Sequence, residues 1–271
     1  MPELAVQVDR YSTVIAVGGV AIRVNTTDLG FLELLQTRYS GFVSVESKSD
    51  LEFDVELVES TFAEREAEVS VRHDSGRWLM QRADFRAEWN PHTRTATIQQ
   101  NANPYSMDAV LRIVHTLVLA EQGGFLLHSA SAIRNGRAFL FAGVSGAGKT
   151  TISRLAPPDV TLLTDEISYV RKAGEGYVAF GTPFTGELAK LGENTSAPVS
   201  ALYLLAKGEE NRIQPVDVAD AGRELLANVL FFAEDPELVH CVFQAACDFV
   251  HRVPVYRLTF VPNARVWEMI Q

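Results

Sequence analysis

The first hundred residues alternate between short apolar runs and turn residues. Two runs, residues 13–17 and 20–24, flank Gly18-Gly19, which is typical of a β-hairpin. Residues 51–58 alternate apolar and acidic side chains, as a strand with one buried face does. Further short strands are predicted over residues 69–72, 78–80 and 95–98. The pattern therefore predicts a β-rich N-terminal domain of the α+β class over residues 1–104.

The pattern changes around residues 101–106, where Asn103-Pro104 interrupts the strand signals. From Ser106, a candidate helix cap, apolar residues recur at helical spacing as far as residue 120. Gly123-Gly124 then ends the helix. We therefore place a domain boundary around residues 101–106, before this helix, and assign residues 105–271 to a second domain.

A second hairpin is predicted where the apolar runs 126–133 and 137–142 flank Asn135-Gly136. The second of these strands leads directly into a glycine-rich segment. In Rossmann-like phosphate-binding proteins such a strand is reached through a crossover helix in a parallel sheet. Here the hairpin predicts a strand antiparallel to its predecessor.

Strands and helices alternate through the rest of the chain, which predicts an α/β fold with a mixed sheet. A strand over residues 160–164 ends in two acids, a hairpin follows over 168–180, and 181–196 is predicted to be a loop region. The remaining predicted elements are a core strand at 201–205, a helix capped by Asp217 or Asp220, a helix from Asp235-Pro236 to about residue 250, and a closing strand at 255–260.

Composition limits which binding partners and which cellular location we expect. The chain has 271 residues, of which 47% are hydrophobic and 21% charged, as in ordinary globular proteins. Its net charge of −10 argues against nucleic acid or an anionic membrane as the main partner, since both need a positive surface. No apolar run approaches the roughly 20 residues of a membrane span. The N-terminus shows no signal-peptide pattern, so we expect a cytoplasmic protein.

The segment after the second hairpin carries the clearest chemical signal. Residues 143–150 spell GVSGAGKT, which matches the phosphate-binding loop GxxxxGK[ST] between a strand and a helix. Glycines let successive backbone N–H groups face one anion, and a helix N-terminus adds partial positive charge. Lys149 can reach the β- and γ-phosphates of a nucleotide, and the Thr150 hydroxyl can bind Mg²⁺. The expected nucleotide-binding residues are Gly143, Ser145, Gly146, Ala147, Gly148, Lys149, Thr150 and Thr151.

Two acids, Asp165 and Glu166, follow the next predicted strand. An acid at the end of an apolar strand downstream of a phosphate loop can bind Mg²⁺ directly or through water. The alternative is a helix-capping or loop carboxylate. Sixteen residues separate Lys149 from Asp165. This short spacing fits compact kinases better than motor-type ATPases.

These motifs resemble the superfamily of HPr kinase/phosphorylase and ATP-dependent phosphoenolpyruvate carboxykinase. The resemblance rests on the loop, on residues 162–166 and on His128, which stands fifteen residues ahead of Gly143 as a histidine does in HPr kinases. Similarity to the HPr-kinase-related group of small bacterial kinases extends to residues 181–187 and 253–258. The resemblance covers roughly residues 106–271 and implies a mixed-sheet domain of the HPr kinase C-terminal type.

The resemblance also implies roles for single residues. Lys149 and Thr150 match the phosphate and metal positions. Asp165 matches the first acid of an Asp-Asp pair that supports Mg²⁺ binding and activation of a serine hydroxyl. Glu166 stands in place of the second Asp, so the resemblance leaves open which of the two accepts the proton.

His128 matches the family's active-site histidine, which would lie near the transferring phosphate. A structural role is the alternative for this residue. Glu187 is a candidate for a second metal ligand or a substrate contact.

We therefore expect an ATP- and Mg²⁺-dependent kinase that phosphorylates a Ser or Thr hydroxyl of a protein or peptide. A small-molecule kinase and a non-catalytic nucleotide-dependent binding module are the alternatives. The Glu-, Arg- and Gly-rich segment of HPr kinases has no counterpart here, which leaves the acceptor open. The N-terminal domain is a candidate for recognising the partner or for forming a homo-oligomer interface.

Overall fold

The computed structural model describes residues 9–46, 48–59, 68–188 and 191–271. The first eight residues, on which the signal-peptide expectation rests, and two residues of the predicted loop region 181–196 lie outside this part. By its contacts the chain divides into two compact units, Met1–Leu111 and Arg112–Gln271. The assignment of separate domains to residues 1–104 and 105–271 stays a prediction.

The first unit is built on a mixed sheet. Its described strands are β1 (Tyr11–Val17), β2 (Val20–Thr26), β3 (Val43–Ser44), β4 (Leu51–Leu57), β5 (Ser70–Asp74), β6 (Arg77–Arg82), β7 (Phe85–Asn90) and β8 (Thr95–Gln100). They lie in the order β3-β1-β2-β4-β8-β7-β6-β5. The pairs β2–β4 and β4–β8 are parallel, whereas β8 to β5 form an antiparallel meander. This confirms the predicted hairpin and the predicted strands of this region.

Three described elements of the first unit were not predicted from the sequence pattern: the helix after β2, the two-residue strand β3 and strand β7. Helix α1 (Leu29–Arg38) follows β2 and is capped by Asp28, whose carboxylate accepts from the Phe31 N–H. Strand β7 buries alternate side chains of a run in which charged residues separate the apolar ones. Both α1 and β7 carry a local signal: Asp28 precedes apolar residues at helical spacing in α1, and β7 alternates apolar and charged residues as a half-buried strand does.

Helix α2 (Pro104–Glu121) is capped by a residue other than the expected one. The Asn103 side chain accepts from the N–H groups of Tyr105 and Ser106, both at 3.0 Å. The Ser106 hydroxyl instead donates to Asp84 Oδ2 at 2.7 Å. Asparagine is as good a cap as serine, and Pro104 fits the first helical turn because it needs no N–H partner there.

The second unit is a mixed α/β layer structure. Its described strands are β9 (Phe125–Arg134), β10 (Arg137–Ala142), β11 (Thr161–Thr164), β12 (Ile167–Ala173), β13 (Gly176–Phe180), β14 (Ser196–Lys207), β15 (Arg212–Pro215), β16 (Val229–Leu230) and β17 (Val255–Phe260). The main path runs β10-β9-β12-β13-β14-β17-β15, with β11 and β16 paired to β9. The described helices are α3 (Lys149–Arg154), α4 (Val218–Leu226), α5 (Pro236–Arg252) and a 3₁₀ turn (Ala264–Met269).

Strand β10 has a neighbouring strand on each side, and its pairing with β9 confirms the predicted hairpin. It pairs antiparallel with β9 from Arg137–Arg134 to Ala142–Ser129, and it pairs parallel with β14. Its neighbouring residues Leu140 and Phe141 are both buried and belong to different apolar clusters. The first cluster includes residues of α4 and α5, and the second includes residues of α3 and the 3₁₀ turn. Because both faces are covered, the strand is apolar at nearly every position.

The short helix α3 is anchored to the second cluster. Ile152 of this helix is fully buried, and its carbonyl accepts a hydrogen bond from Trp267 Nε1 at 3.0 Å. The strand before the glycine-rich loop and the helix after it are therefore both held in the core. No helix in the described part of the chain is both long and apolar enough to cross a membrane.

Candidate functional site

The glycine-rich loop joins the end of β10 to the start of α3. Gly146 and Gly148 have φ angles of 75° and 117°, which side-chain-bearing residues rarely adopt. A Cβ atom on Gly148 would lie 2.6 Å from the Phe260 ring, whereas one on Gly146 would have no neighbour within 4 Å. Gly148 is thus required by packing as well as by backbone conformation, and Gly146 borders the open side of the loop.

Lys149 extends across the loop. Its Nζ atom donates to the Gly143 carbonyl at 2.8 Å, and the side chain is largely covered. Burial lowers the pKa of the ammonium group, and the carboxylates of Glu166 and Glu187 act in the opposite direction. The ammonium group of Lys149 therefore interacts electrostatically with the carboxylates of Glu166 and Glu187.

A cleft of about 400 Å³ opens beside the loop. Its lining residues come from β9, the loop, α3, the end of β11 and the segment after β13: His128, Ser145, Gly146, Gly148, Lys149, Thr150, Thr151, Asp165, Glu166 and Glu187. All of these are residues singled out in the sequence. The two further residues expected at the site, Gly143 and Ala147, shape the loop, since a Cβ on Gly143 would lie 2.9 Å from that of Ala147.

The adjacent acids Asp165 and Glu166 have different partners. Asp165 is 4% exposed, and its Oδ1 and Oδ2 accept from the N–H groups of Gly186 at 3.0 Å and Leu188 at 2.9 Å. The carboxylate of Glu166 is one third exposed, and its Oε1 lies 3.8 Å from His128 Nε2. The acids lie in the turn between β11 and β12, where Thr164 Oγ1 accepts from the N–H groups of Glu166 and Ile167, both at 3.2 Å.

His128 lies on β9 opposite Ile167 of β12. Burial and the charge of Lys149 lower the pKa of its imidazole, with a smaller contribution from Arg112, whereas Glu166 raises it. The neutral imidazole is therefore favoured at neutral pH, where its contact with Glu166 is not an ion pair. A neutral imidazole next to a carboxylate can exchange a proton with a bound hydroxyl group.

The donor set of the cleft suits Mg²⁺. Hydroxyl and carboxylate oxygens are the ligands that this ion prefers, and Thr150, Glu166 and Glu187 supply them, whereas both oxygens of Asp165 already accept backbone N–H groups. Within the described ranges, no group of three or more His, Cys, Asp or Glu residues is arranged to hold a metal ion. Because Mg²⁺ commonly takes one or two protein carboxylates together with phosphate oxygens and water, the cleft fits an ion that binds along with a nucleotide.

Sequence reasoning missed two side chains beside this site. The guanidinium carbon of Arg112 on α2 lies 5.0 Å from the centre of the Phe184 ring. Phe184 is buried, and its carbonyl faces Thr164 Oγ1 at 3.4 Å. Arg112 is the single Lys or Arg residue in the α2 sequence, a signal that could have identified it.

These features define a mixed α/β protein with a phosphate-loop motif at a polar cleft. Residues 95–271 match the family described as "SynChlorMet cassette protein ScmC", and the chain belongs to the ScmC family. No curated protein matches the chain. Among solved structures, the Hpr(Ser) kinase/phosphatase from Coxiella burnetii is similar at 10% sequence identity and a TM-score of 0.27, over 50% of this chain and 84% of that chain. This similarity is too distant to assign a function.

Proposed function

We propose that this protein is an ATP-dependent phosphotransferase that moves the γ-phosphate of ATP to a Ser or Thr hydroxyl of a protein or peptide. One observation carries the proposal: a phosphate-loop lysine, an acid pair and a histidine line the same cleft. The sequence resemblance to HPr kinases supports the choice of acceptor. The cytoplasmic location, the lack of nucleic-acid or membrane partners and a homo-oligomeric state remain predictions.

The loop and α3 would hold the triphosphate. The space beside Gly146 is open, and the backbone N–H groups of the loop and of the first turn of α3 would bind the anion there, because aligned peptide dipoles stabilise negative charge. Lys149 would exchange its Gly143 carbonyl partner for phosphate oxygens. Thr150 and an acid of the cleft would hold Mg²⁺, which would supply charge neutralisation at the phosphates.

The acceptor hydroxyl would be activated on the side of the cleft formed by β9 and the end of β11. Phosphoryl transfer needs little covalent chemistry from the protein and depends on charge stabilisation and a positioned nucleophile. Glu166 and His128 lie 3.8 Å apart and both line the cleft. Either can accept the proton that the hydroxyl loses as its oxygen bonds to phosphorus and the bond to the leaving ADP breaks.

A non-catalytic nucleotide-dependent binding module is the second candidate. It is favoured by the two backbone N–H groups bound to Asp165, because a carboxylate occupied in this way can be purely structural. In such a module the protein would bind ATP without transferring phosphate to any acceptor.

Incubation with γ-labelled ATP, Mg²⁺ and a lysate of the host separates these functions. We expect label on one polypeptide with the wild-type protein and none with Lys149→Ala, because the lysine charge at the phosphates is lost. Lys172→Ala is the matched control, since Lys172 pairs with Asp248 and does not line the cleft. Label confined to small molecules would indicate a small-molecule kinase. ATP binding without any labelled product would favour the binding module.

A further inference from the structure

The segment between β13 and residue 188 is held against the acid-bearing turn at several points. At its start, the Thr182 N–H donates to the Leu163 carbonyl at 3.1 Å, and the Thr182 hydroxyl donates to the Ile167 carbonyl at 2.8 Å. At its end, Gly186 and Leu188 donate their N–H groups to the two oxygens of Asp165. The segment is therefore tied to both sides of the turn that carries Asp165 and Glu166.

Glu187 stands between the two residues that Asp165 binds. It is exposed and lines the cleft, whereas Asp165 is buried, at 4% exposure. The charge of Glu187 acts on Lys149 and favours its ammonium form. The buried carboxylate of Asp165 thus fixes the backbone on both sides of Glu187, which lines the same cleft as the phosphate loop.

Gly186 shows how closely this backbone approaches the acids. A Cβ atom at this position would lie 2.4 Å from Glu166 Oε2 and 3.0 Å from Asp165 Oδ2. These distances leave no room for a side chain unless the segment or the carboxylates move. Gly186 therefore allows the N–H groups to reach Asp165 while Glu166 remains next to His128.

We propose that Asp165 is a positioning residue that clamps residues 186–188 and thereby presents Glu187 to the magnesium nucleotide in the cleft. The two adjacent acids then have separate tasks: Glu166 faces His128 and the cleft, and Asp165 acts through Glu187. This inference rests on the proposed function for its magnesium nucleotide, but the clamp itself is a property of the protein alone.

Hydrogen exchange of the backbone amides tests the clamp without any ligand. In Asp165→Asn one carboxylate oxygen becomes an NH₂ group, which cannot accept from the facing N–H. We expect exchange at Gly186 or Leu188 to be at least about tenfold faster than in the wild-type protein, since an amide without its partner opens more readily. Unchanged exchange at both amides would overturn the proposal. The matched control is Asp159→Asn, which removes an exposed acid paired with Arg134 before β11.

Functional coupling is tested by combining Asp165→Asn with Glu187→Gln and measuring the Mg²⁺ concentration for half-maximal ATP binding. If Asp165 acts through Glu187, each single variant raises this concentration roughly tenfold, and the double variant exceeds either one by less than about threefold. Fully multiplicative effects would show that Asp165 acts independently of Glu187 and would overturn the proposal.

Gly186→Ala keeps the test decisive if Asp165→Asn does not fold. It places a methyl group against the carboxylates of Asp165 and Glu166 and removes no ionisable group, so the contact between the segment and the acids is disturbed and a shift of the Mg²⁺ dependence in the same direction is expected. Its control is Gly176→Ala, because a Cβ atom there has no neighbour within 4 Å. A wild-type Mg²⁺ dependence in Gly186→Ala would contradict the clamp. Failure of the proposed function would be recognised separately, because Lys149→Ala would then leave ATP binding unchanged. In that case the amide exchange would still show whether Asp165 holds the segment.

Discussion

The two units of this chain use β-strands in different ways. In the first unit, β8 alternates exposed and buried residues along its whole length. In the second unit, β10 is buried at every position after Arg137, and its two faces belong to different apolar clusters. A strand covered on both faces has no outward side chains available for chemistry. Most candidate site residues of the second unit instead lie in the glycine-rich loop, at the start of α3 and in the segments after β11 and β13, whereas His128 lies within β9.

Paired alanine substitutions test this difference and have the largest expected effect on stability. Leu140→Ala and Phe141→Ala, neighbours on β10, should each lower the free energy of unfolding by about 2–5 kcal/mol, because each leaves a cavity in a buried cluster. On β8 only the buried neighbour should lower the free energy of unfolding this strongly. Ile98→Ala should do so, whereas Thr97→Ala, at an exposed position, should change it by about 0.5 kcal/mol or less. Urea unfolding measures all four values. Equal costs on β8 would show that its outward face is covered.

Histidine burial gives a second test. His115 on α2 is fully buried, and neither ring nitrogen has a hydrogen-bond partner among the described residues, whereas His73 and His92 of the first unit are exposed. Burial lowers the pKa of His115 from 6.5 to about 4. The unfolded chain therefore binds more protons between these pH values, so stability is complete above pH 6.5 and falls as the pH drops towards 4. The expected loss is roughly 3 kcal/mol.

The His115→Phe variant isolates this contribution. It keeps an aromatic ring against Tyr169, which His115 meets edge-on at 5.4 Å between ring centres, and it cannot be protonated. We expect a flatter stability profile than that of the wild-type protein between pH 4 and 6.5, measured by urea unfolding at several pH values. Parallel profiles would mean that the pKa of His115 is the same in the folded and the unfolded chain.

Glycines of the two units should also respond differently. Gly148→Ala places a side chain at a positive φ and against Phe260, which costs about 1–3 kcal/mol in backbone strain before the contact is counted. ATP affinity, measured by titration of a fluorescent analogue, should fall at least about tenfold because α3 and the loop shift. A Cβ atom on Gly41 of the first unit would have no neighbour within 4 Å, so Gly41→Ala serves as the control. Wild-type affinity in Gly148→Ala would argue against phosphate binding by the loop.

The smallest effect is expected for an ion pair on the outward face of the first sheet. Arg77 and Glu88 form a salt bridge between β6 and β7, and both side chains are about half exposed. Water and salt screen such pairs, so a double-mutant cycle with alanine should give a coupling free energy below about 1 kcal/mol. A larger coupling that persists in high salt would show that this face is shielded from solvent.

Much of the fold could be predicted from local patterns. The hairpin of β9 and β10 followed from Asn135-Gly136 between two apolar runs, because a two-residue turn determines its own pairing. The pairing of β10 with β14 could not be predicted in this way. A parallel partner more than fifty residues away is selected by packing of the whole sheet, and no local residue encodes it.

The candidate site likewise combines features that the sequence shows with features that only the structure shows. The sequence by itself determined the phosphate-loop motif, the acids that follow β11 and the histidine ahead of the loop, because each depends on residue type and short spacing. Only the tertiary structure placed Glu187 beside that loop, put Arg112 near His128 and turned Asp165 and Glu166 towards different partners. Neighbours in sequence can face different partners because the backbone turns at Thr164 and because the N–H groups of Gly186 and Leu188 bind the carboxylate of Asp165 alone.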